Sequence, residues 1–517
     1  MRPKLKTRMS LQTIPSDPTA RWQLVQHLTQ RMRSGDDLPL LEVEGEWRPG
    51  KLVLDTWERF VDRHRAAPER HPFGVYTHLP YCTTKCTYCQ DFTEGLSSPE
   101  FLERHLSGVL TELELFAPVL RQLRPTSFYF GGGTPSLWSP KQMQRYYEKL
   151  FEICNFTSDA QLCAEANPNS FDREKAELLR SFGINRMSFG VQALDPVVLG
   201  QINRAYQKPG DIADAIALAR SVGVESVNLD LVAGLPEQST QSFLNDVKFC
   251  AEAGPDLLWL HPFNPEADIF VKAKRQLERD SLELREEMLH AADAMLLGMG
   301  WERLFRQPIY HKKLIGHPRH FVEADYLGGS VMGFGWGAFS RCDGDIAYGN
   351  LERPRWETPL KSGELPEYFS EILEPTDRST RFLMFHAKEG IDRTLYRDLF
   401  GRDVLEDHGQ RLGELAELGW LRIEPNTITA QFDWWHDDLA VRRYLLSDRR
   451  LGVLADKYQR SGWYNAGAGI QGQGRTYDYF RWLSREGRTP QDLRAIPWQP
   501  RLGSAGASGN GLASALP

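Results

Sequence analysis

The chain has 517 residues, of which 41% are hydrophobic and 31 are proline, as expected for one large folded domain with smaller appendages. Its net charge of −7 provides no basic surface for nucleic acid, and no apolar run approaches the roughly 20 residues that span a bilayer. The seven cysteines, three of them clustered, fit a reducing compartment better than a disulfide framework, so we expect a cytoplasmic protein without a membrane span.

Residues 1–70 are predicted to be an N-terminal extension. From Phe73 onward, short β-favouring apolar runs alternate with amphipathic helical stretches, which is the pattern of βαβ units and a parallel sheet. Six strands are predicted here: Phe73–His78, Thr126–Phe130, Gln161–Ala166, Ile184–Phe189, Ser226–Val232 and Asp256–Pro262. Helices fit between the strands, so the sequence predicts an α/β fold with a partial (β/α)6 barrel over residues 71–315.

The segments after the barrel have a different pattern. Residues 316–376 are expected to form a glycine-rich connecting segment, and residues 377–445 a small helical, winged-helix-like C-terminal domain. Its helix from Val404 to Leu418 is acidic, so it would not bind the phosphates of a DNA groove. Residues 446–500 are rich in aromatic side chains, which favours packing over a lid on a substrate, and residues 501–517 are predicted to be a disordered tail.

Three cysteines, Cys82, Cys86 and Cys89, follow the first predicted strand, with no fourth cysteine in reach. A structural zinc site is closed by four protein ligands, whereas a catalytic metal keeps one position open, and clustered thiolates suit zinc or iron–sulfur clusters. We interpret the run as a catalytic iron–sulfur loop, with a zinc loop completed by His78 or a distant residue as the alternative. The remaining cysteines are predicted to be core residues: Cys154, Cys163, Cys250 and Cys342.

Polar groups follow the carboxyl ends of the predicted strands, where the chemistry of parallel barrels collects. A triple glycine and Thr134 follow the second strand, Glu165 ends the third, Gln192 follows the fourth and Asp230 lies late in the fifth. Arg204 is the nearest candidate cation for a ligand carboxylate. His261, late on the sixth strand, is a candidate for substrate contact or proton transfer, the alternative being a buried, hydrogen-bonded histidine.

Taken together, these motifs resemble a known family. The spacing C-x3-C-x2-C, with Tyr88 before the third cysteine, resembles the cluster loop of the radical S-adenosylmethionine (SAM) superfamily. Further motifs resemble its oxygen-independent coproporphyrinogen III oxidase-like family: Tyr76-Thr-His-Leu-Pro80, Phe130-Gly-Gly-Gly-Thr-Pro-Ser136, Glu165-Ala-Asn-Pro168, Arg186-Met-Ser-Phe-Gly-Val-Gln192, Asn203-Arg204, Asp230-Leu-Val-Ala-Gly-Leu-Pro236 and Gly333-Phe-Gly-Trp-Gly-Ala-Phe-Ser340.

The resemblance implies a [4Fe-4S] cluster on Cys82, Cys86 and Cys89, with SAM bound to its fourth iron. It implies that SAM is bound by Tyr76, Gly132, Gly133, Thr134, Glu165, Gln192, Arg204 and Asp230. The expected activity is cleavage of SAM and abstraction of a hydrogen atom from a tetrapyrrole or a similar cyclic apolar substrate. An electron donor such as flavodoxin or ferredoxin would supply the electron, and no nucleic acid would take part.

Two departures from the family keep other functions open. Family members that decarboxylate coproporphyrinogen have a further cysteine after the loop, whereas this chain has Gln90-Asp91-Phe92, as in haem-trafficking and methyl-transferring branches. Haem carriers have a His-Asn-x-x-Tyr-Trp run and a histidine in the glycine-rich motif, and here the corresponding residues begin His320-Phe321 and include Phe339.

The alternatives are therefore a haem-binding carrier without turnover and a radical SAM methyltransferase or cyclopropanase of natural-product biosynthesis. Three histidines could ligate haem iron from a flexible loop: His311, His317 and His320. Exposed surface histidines are the simpler interpretation of this polar stretch.

Overall fold

The computed structural model describes residues 14–31, 45–89, 91–263, 277–304, 307–312, 318–432 and 436–452. Helix α1 (Pro18–Arg31), strand β1 (Glu46–Pro49) and helix α2 (Gly50–Ala66) come first in the chain. None of the described helices is long and apolar enough to cross a membrane. His317, the end of the aromatic-rich segment and the tail lie outside the described residues.

Six parallel strands form the centre of the main sheet, and they are the six strands that the sequence predicts. These six are β2 (Phe73–Leu79), β5 (Ser127–Gly132), β6 (Gln161–Ala166), β7 (Arg186–Gln192), β8 (Ser226–Ala233) and β9 (Leu257–Pro262). Two short strands between β2 and β5 in the chain, β3 (Tyr81–Cys82) and β4 (Glu94–Gly95), pair with each other in a separate sheet. The order β2-β5-β6-β7-β8-β9 follows the chain, and each neighbouring pair is parallel. All six carboxyl ends therefore lie at one edge of the sheet.

Helices connect the parallel strands and cover one face of the sheet. They are α3 (Glu100–Leu120), α4 (Pro140–Ile153), α5 (Arg173–Ser181), α6 (Pro196–Gln201), α7 (Pro209–Ser221), α8 (Thr240–Glu252) and α9 (Leu277–Gly298). Local signals fix their starts: Ser139 accepts a hydrogen bond from the Gln142 backbone N–H at 3.3 Å, and Asp172 caps α5 in the same way. Phe128 and Phe130 of β5 pack on Tyr146 and Tyr147 of α4.

Further strands extend the sheet beyond the barrel on both sides. They are β10 (Glu302–Leu304), β11 (Ile309–His311), β12 (Ser330–Phe334), β13 (Phe339–Cys342), β14 (Ile346–Gly349) and β15 (Glu367–Ile372). Strand β12 pairs in parallel with β2, and β11 pairs antiparallel with β9. Of the described strands, 13 form one sheet with β1 and β10 at its edges. Because these two edges do not pair with each other, the barrel is partial.

Two short helical segments and a second core complete the described chain. Helix α10 (Arg319–Phe321) runs into a π-helical turn at Val322–Tyr326, and α11 (Arg353–Lys361) precedes β15. The C-terminal elements are α12 (Asp377–His386), β16 (Ile391–Asp392), α13 (Arg393–Phe400), α14 (Val404–Glu417), β17 (Leu421–Ile423), β18 (Thr427–Ala430) and α15 (His436–Tyr444). Three helices and a small sheet of order β16-β18-β17 give the winged-helix-like arrangement, and Trp22 of α1 packs on Trp420 within its core.

Candidate active site

The cysteine loop leaves the carboxyl end of β2 and is held at both of its ends. Cys82 lies on β3, which pairs with β4, and the backbone N–H of Leu96 donates to the Cys82 carbonyl at 2.8 Å. At the far end of the loop, Asn203 donates to the Lys85 carbonyl at 3.2 Å and Thr87 donates to the Gln201 carbonyl at 3.0 Å. The loop is thus fixed between strand β2 and the segment that carries Arg204.

The three loop thiols lie close enough to influence one another electrostatically. Burial raises the pKa of Cys82 to about 11, and burial, Asp91 and the other two cysteines raise the pKa of Cys89. Thr134 donates from Oγ1 to the Cys82 Sγ at 3.5 Å. Three thiols in one short loop are a soft donor set that suits iron–sulfur ligation and leaves one iron for another ligand. Within the described ranges, no group of three or more His, Cys, Asp or Glu side chains is placed to hold a single metal ion.

The other four cysteines are buried, as the sequence predicts. His78, the residue that the zinc alternative would use, has both ring nitrogens in hydrogen bonds. Tyr76 contacts Nδ1 at 2.7 Å, and Nε2 contacts the Phe92 carbonyl at 2.9 Å. Burial lowers the pKa of His78 to about 4, so the ring is neutral and connects Tyr76 to the end of the cysteine loop.

The triple glycine packs against the chain that enters the cysteine loop. Gly132 has φ of 109°, and a Cβ there would lie 2.8 Å from the His78 ring. A Cβ at Gly133 would lie 2.5 Å from the Tyr81 carbonyl oxygen. Glycine is therefore required at both positions, because a side chain would collide with the His78 ring or the Tyr81 backbone. Both glycines lie where the expected SAM site begins.

The inner face of the barrel, opposite the helices, carries polar side chains. Because Phe128 and Phe130 face α4, Tyr129 between them points to the inner face, where its hydroxyl donates to Glu165 Oε1 at 2.5 Å. Burial raises the pKa of Glu165 to about 8, although the hydrogen bond from Tyr129 acts in the opposite direction. Glu165 is thus a carboxyl group that protonates near neutral pH.

Asp230 and His261 form a second polar group on the inner face. His261 Nε2 lies 3.3 Å from Asp230 Oδ1, and Ser188 and Asn228 each donate to the carboxylate at 2.8 Å. Burial acts to raise the pKa of Asp230, but these hydrogen bonds, that of His261 first, outweigh it and leave the pKa below its ordinary value. The His261 ring stacks on Trp259 with centroids 5.0 Å apart, and its side chain is 42% exposed. The histidine is therefore accessible.

Gln192 and Arg204 lie at the carboxyl end of β7. Gln192 follows a β-bulge and has φ of 68°, a conformation that is costly for a residue with a side chain. Arg204 donates to the Gly190 carbonyl at 2.8 Å and to the Asn167 side chain, and its buried Nε–H has no partner. An unpartnered guanidinium N–H beside the cysteine loop fits a ligand carboxylate.

A continuous set of contacts connects these residues across three strand ends. Cys82 accepts from Thr134, Thr134 accepts from Asn167 Nδ2 at 3.3 Å, and Asn167 accepts from Arg204. The structure therefore brings together the cysteine loop, the glycine turn and the arginine, while Glu165, Asp230 and His261 lie on the adjoining inner face. These positions agree with the predicted site, whose individual roles stay a prediction.

Several residues of this region are missing from the sequence prediction: Tyr129, Asn167, Ser188, Asn228 and Trp259. Four of them lie two positions before a residue at the carboxyl end of the same strand. Because side chains alternate between the two faces of a strand, this spacing is the signal that could have found them. Tyr129 precedes Gly131, Ser188 precedes Gly190, Asn228 precedes Asp230 and Trp259 precedes His261.

The interpretation of the loop histidines as exposed surface is wrong for two of the three. His311 is 7% exposed on β11, and His320 lies inside the barrel, where Ser127 Oγ is 3.1 Å from its Nδ1. Burial, with Arg341 and Arg186 nearby, lowers the pKa of His320 to about 4. The reason is that α10 packs against the amino end of β5, a tertiary contact that the polar local sequence does not reveal.

Comparison with known proteins identifies the class. Residues 76–250 match the model of the Radical SAM superfamily. The chain is 33% identical over 241 residues to oxygen-independent coproporphyrinogen III oxidase of Helicobacter pylori, covering 44% of this chain and 52% of the relative. It is 35% identical over 187 residues to Heme chaperone HemW of Mycobacterium tuberculosis, covering 36% and 48%. The chain thus spans about half the length of these curated relatives.

A solved structure shows the same fold over a larger part of the chain. Coproporphyrinogen III oxidase (HemN) from Escherichia coli, a radical SAM enzyme, superposes with a TM-score of 0.65 at 20% identity, covering 77% of this chain and 94% of that one. Residues 76–250 are thus similar to the Radical SAM superfamily, whose cofactors are a [4Fe-4S] cluster and SAM. The relatives named oxygen-independent coproporphyrinogen III oxidase agree with the family resemblance that the motifs indicate.

Proposed function

We propose that this protein is a cytoplasmic enzyme that cleaves SAM at a [4Fe-4S] cluster and abstracts a hydrogen atom from a tetrapyrrole or a similar cyclic apolar substrate. The observation that carries the proposal is the set of contacts from Cys82 through Thr134 and Asn167 to Arg204. It joins a three-thiol loop to an arginine with an unpartnered buried N–H, beside an inner face that carries two carboxyl groups. These are the donors and acceptors that SAM requires.

Each residue then has a task in binding. Cys82, Cys86 and Cys89 hold the cluster, and the cluster, once reduced by a donor such as flavodoxin or ferredoxin, supplies the electron for SAM cleavage. Tyr76, Thr134, Glu165, Gln192, Arg204 and Asp230 orient SAM, with Gly132 and Gly133 setting the backbone of the turn. Arg204 offers its free Nε–H to the SAM carboxylate. Glu165 and Asp230 accept hydrogen bonds on the inner face.

His261 is the candidate for contact with substrate or proton transfer. Its ring is hydrogen-bonded to Asp230 and stacked on Trp259, which fixes its orientation. One edge of the ring stays accessible. Trp259 also contacts Phe321 at a centroid distance of 4.9 Å, which adds an apolar wall suited to a cyclic apolar substrate.

The experiment is anaerobic reconstitution with iron and sulfide, followed by reduction in the presence of SAM and coproporphyrinogen III or other porphyrins. We expect a brown protein that forms 5′-deoxyadenosine, and a mass change in one tetrapyrrole, both measured by mass spectrometry. Methylated or cyclopropane-containing products would instead support the methyltransferase or cyclopropanase alternative. A reconstituted protein with intact cluster that leaves SAM uncleaved would contradict the proposal.

A haem carrier is the second candidate, because relatives named Heme chaperone HemW match this chain. The buried position of His311 and the contact of the half-buried His320 with Ser127 do not favour them as haem ligands. Titration with haem decides the matter: a saturable Soret shift together with absent SAM cleavage would support the carrier.

A further inference from the structure

Tyr129 makes a direct side-chain hydrogen bond between neighbouring strands on the inner face of the barrel. Its hydroxyl donates to Glu165 Oε1 at 2.5 Å, from strand β5 to the neighbouring strand β6. The other donor to this carboxyl group is the backbone N–H of Gly132. Among the described residues, no Lys, Arg or His forms an ion pair with Glu165. The orientation of the carboxyl group therefore depends mainly on one phenol.

The Tyr129 ring is itself held between two other rings. Its centroid lies 6.3 Å from that of Tyr76 and 5.7 Å from that of His320, and the planes are within about 35° of parallel. Tyr76 and His320 also contact each other at 6.3 Å. His320 is anchored by Ser127, and Tyr76 by His78. The three rings form a rigid group that fixes the Tyr129 hydroxyl in place.

Two glycines make room for this group. A Cβ at Gly74 would lie 2.9 Å from His320 Nδ1, and a Cβ at Gly131 would lie 2.8 Å from the Tyr129 ring and 3.1 Å from the Glu165 carboxyl carbon. A larger residue at Gly74 would displace His320, and one at Gly131 would displace Tyr129 and Glu165. The inner face is thus shaped around the Tyr129–Glu165 contact.

The charges that face Glu165 are mostly unfavourable to its ionised form. Burial, Asp230 and Asp91 disfavour the charged carboxylate, whereas Cys163 and the Tyr76 phenol nearby are neutral because burial raises the pKa of both. The hydrogen bond from Tyr129 favours the charged carboxylate. Tyr129 thus influences both where the carboxyl group points and when it is ionised.

We propose that Tyr129 is a positioning residue for SAM, which holds the Glu165 carboxyl group in the orientation that accepts hydrogen bonds from the bound cofactor. This inference rests on the proposed function, because it takes Glu165 as a SAM contact. A carboxylate fixed before binding loses less freedom when SAM arrives, and it is ready to accept.

The test is SAM binding to the reconstituted protein under anaerobic conditions, measured by calorimetry from pH 6 to pH 9. We expect Tyr129→Phe to weaken binding by about 10-fold, the cost of one hydrogen bond to a charged group, with iron content and melting temperature unchanged. In wild type, affinity rises with pH as Glu165 loses its proton. In Tyr129→Phe the midpoint of this rise in SAM affinity moves to higher pH, because the hydrogen bond that favours the Glu165 carboxylate is lost.

Two further variants make the test specific. Tyr146→Phe removes an equally short contact, to Thr77 Oγ1 at 2.5 Å, on the helix side of the sheet, and should bind SAM as wild type does. In the Glu165→Gln background, Tyr129→Phe should weaken binding by less than about 2-fold, since coupled residues are not additive. If Tyr129→Phe is unstable, Tyr129→His should bind SAM more tightly than Tyr129→Leu, because only histidine keeps a donor.

The outcomes separate the two proposals. Wild-type protein that binds and cleaves SAM, with Tyr129→Phe equal to it in affinity and pH midpoint, would overturn the role of Tyr129 alone. A full 10-fold loss from Tyr129→Phe in the Glu165→Gln background, or equal affinities of the His and Leu variants, would do the same. Wild-type protein that neither binds nor cleaves SAM would overturn the proposed function and this inference together.

Discussion

Two glutamates, Glu112 on helix α3 and Glu165 on strand β6, have very different surroundings in the fold. Glu112 on α3 accepts four hydrogen bonds, from the Gly335 backbone, Asn350, Trp356 and Tyr368, at 2.9 to 3.0 Å. Glu165 on the inner face accepts from one side chain, Tyr129. A fully satisfied buried carboxyl group stabilises a fold, whereas one with spare acceptor capacity is suited to a ligand.

The Glu112 region still supports the site, although it contacts no expected ligand. It holds the glycine-rich segment, where a Cβ at Gly335 would lie 2.6 Å from the His78 carbonyl and one at Gly337 would lie 2.7 Å from Phe92. His105 adds a contact to the His78 carbonyl at 2.8 Å. The packed region therefore fixes the strand from which the cysteine loop departs, and the inner face does the binding.

The largest expected difference between the two regions concerns their cysteines. Cys86→Ala should abolish cluster assembly and lower SAM cleavage by at least about 1,000-fold, since one of three ligands is lost. Cys342→Ala, in the buried core of the Glu112 region, should keep full iron content and cleavage. Iron and sulfide analysis with the 5′-deoxyadenosine assay checks both, and retained cleavage in Cys86→Ala would contradict the assignment of the loop.

Removal of each glutamate should separate stability from binding. Glu112→Ala leaves four buried donors unpaired and should lower the free energy of unfolding by roughly 3–5 kcal/mol. Glu165→Ala should lower it much less, because Glu165 accepts a hydrogen bond from only one side chain, while SAM binding weakens. Urea denaturation of the anaerobic protein measures both variants, and equal destabilisation would remove the distinction between the two carboxyl groups.

His261 offers a test within the inner face. His261→Phe retains a ring to stack on Trp259 but loses the contact with Asp230, so we expect substrate turnover to fall by roughly 100-fold. SAM cleavage without substrate should change by less than about 3-fold, because the histidine is not proposed to bind SAM. The control is His408→Phe in the C-terminal core, where His408 contacts Ser379. A proportional fall in both reactions would instead indicate that His261 contributes to SAM binding.

The last expected difference between the two regions is a pH dependence of stability. The pKa of Glu165 is raised from 4.5 to about 8 in the folded protein, so the folded state holds a proton that the unfolded state releases between these values. The resulting stabilisation is complete below pH 4.5 and is lost as the pH rises toward 8. Glu165→Gln should reduce this slope in urea titrations, and Glu112, whose pKa burial also raises, should provide what remains. An identical slope in Glu165→Gln would contradict the assignment.

Local patterns in the sequence predict much of this molecule. The six strands were found from β-favouring runs, and the capping residues at the helix starts, Ser139 and Asp172, are equally local signals, since both depend on adjacent residues. The three-thiol loop is equally local. The partners of Glu112 could not be found in this way, because they lie 223 to 256 residues away along the chain.

The exposure of the histidines was also not predictable from local sequence. Local polarity indicated exposed positions for His311 and His320, but packing against distant strands buries His311 and half-buries His320. His261 lies late on an apolar strand, yet it stays accessible at the carboxyl end of β9. Exposure is a property of the assembled sheet, so composition around a residue does not predict it.

By itself, the sequence determined the class of fold, the order of its strands, the cysteine loop and the edge of the sheet where the site lies. Strand alternation, capping and ligand spacing are encoded within a few residues of each other. Only the tertiary structure decided which carboxyl group is saturated and which is free to bind, and that Tyr129 and His320 stand behind Glu165. Hydrogen-bond partners and burial depend on segments that meet only when the whole sheet is assembled.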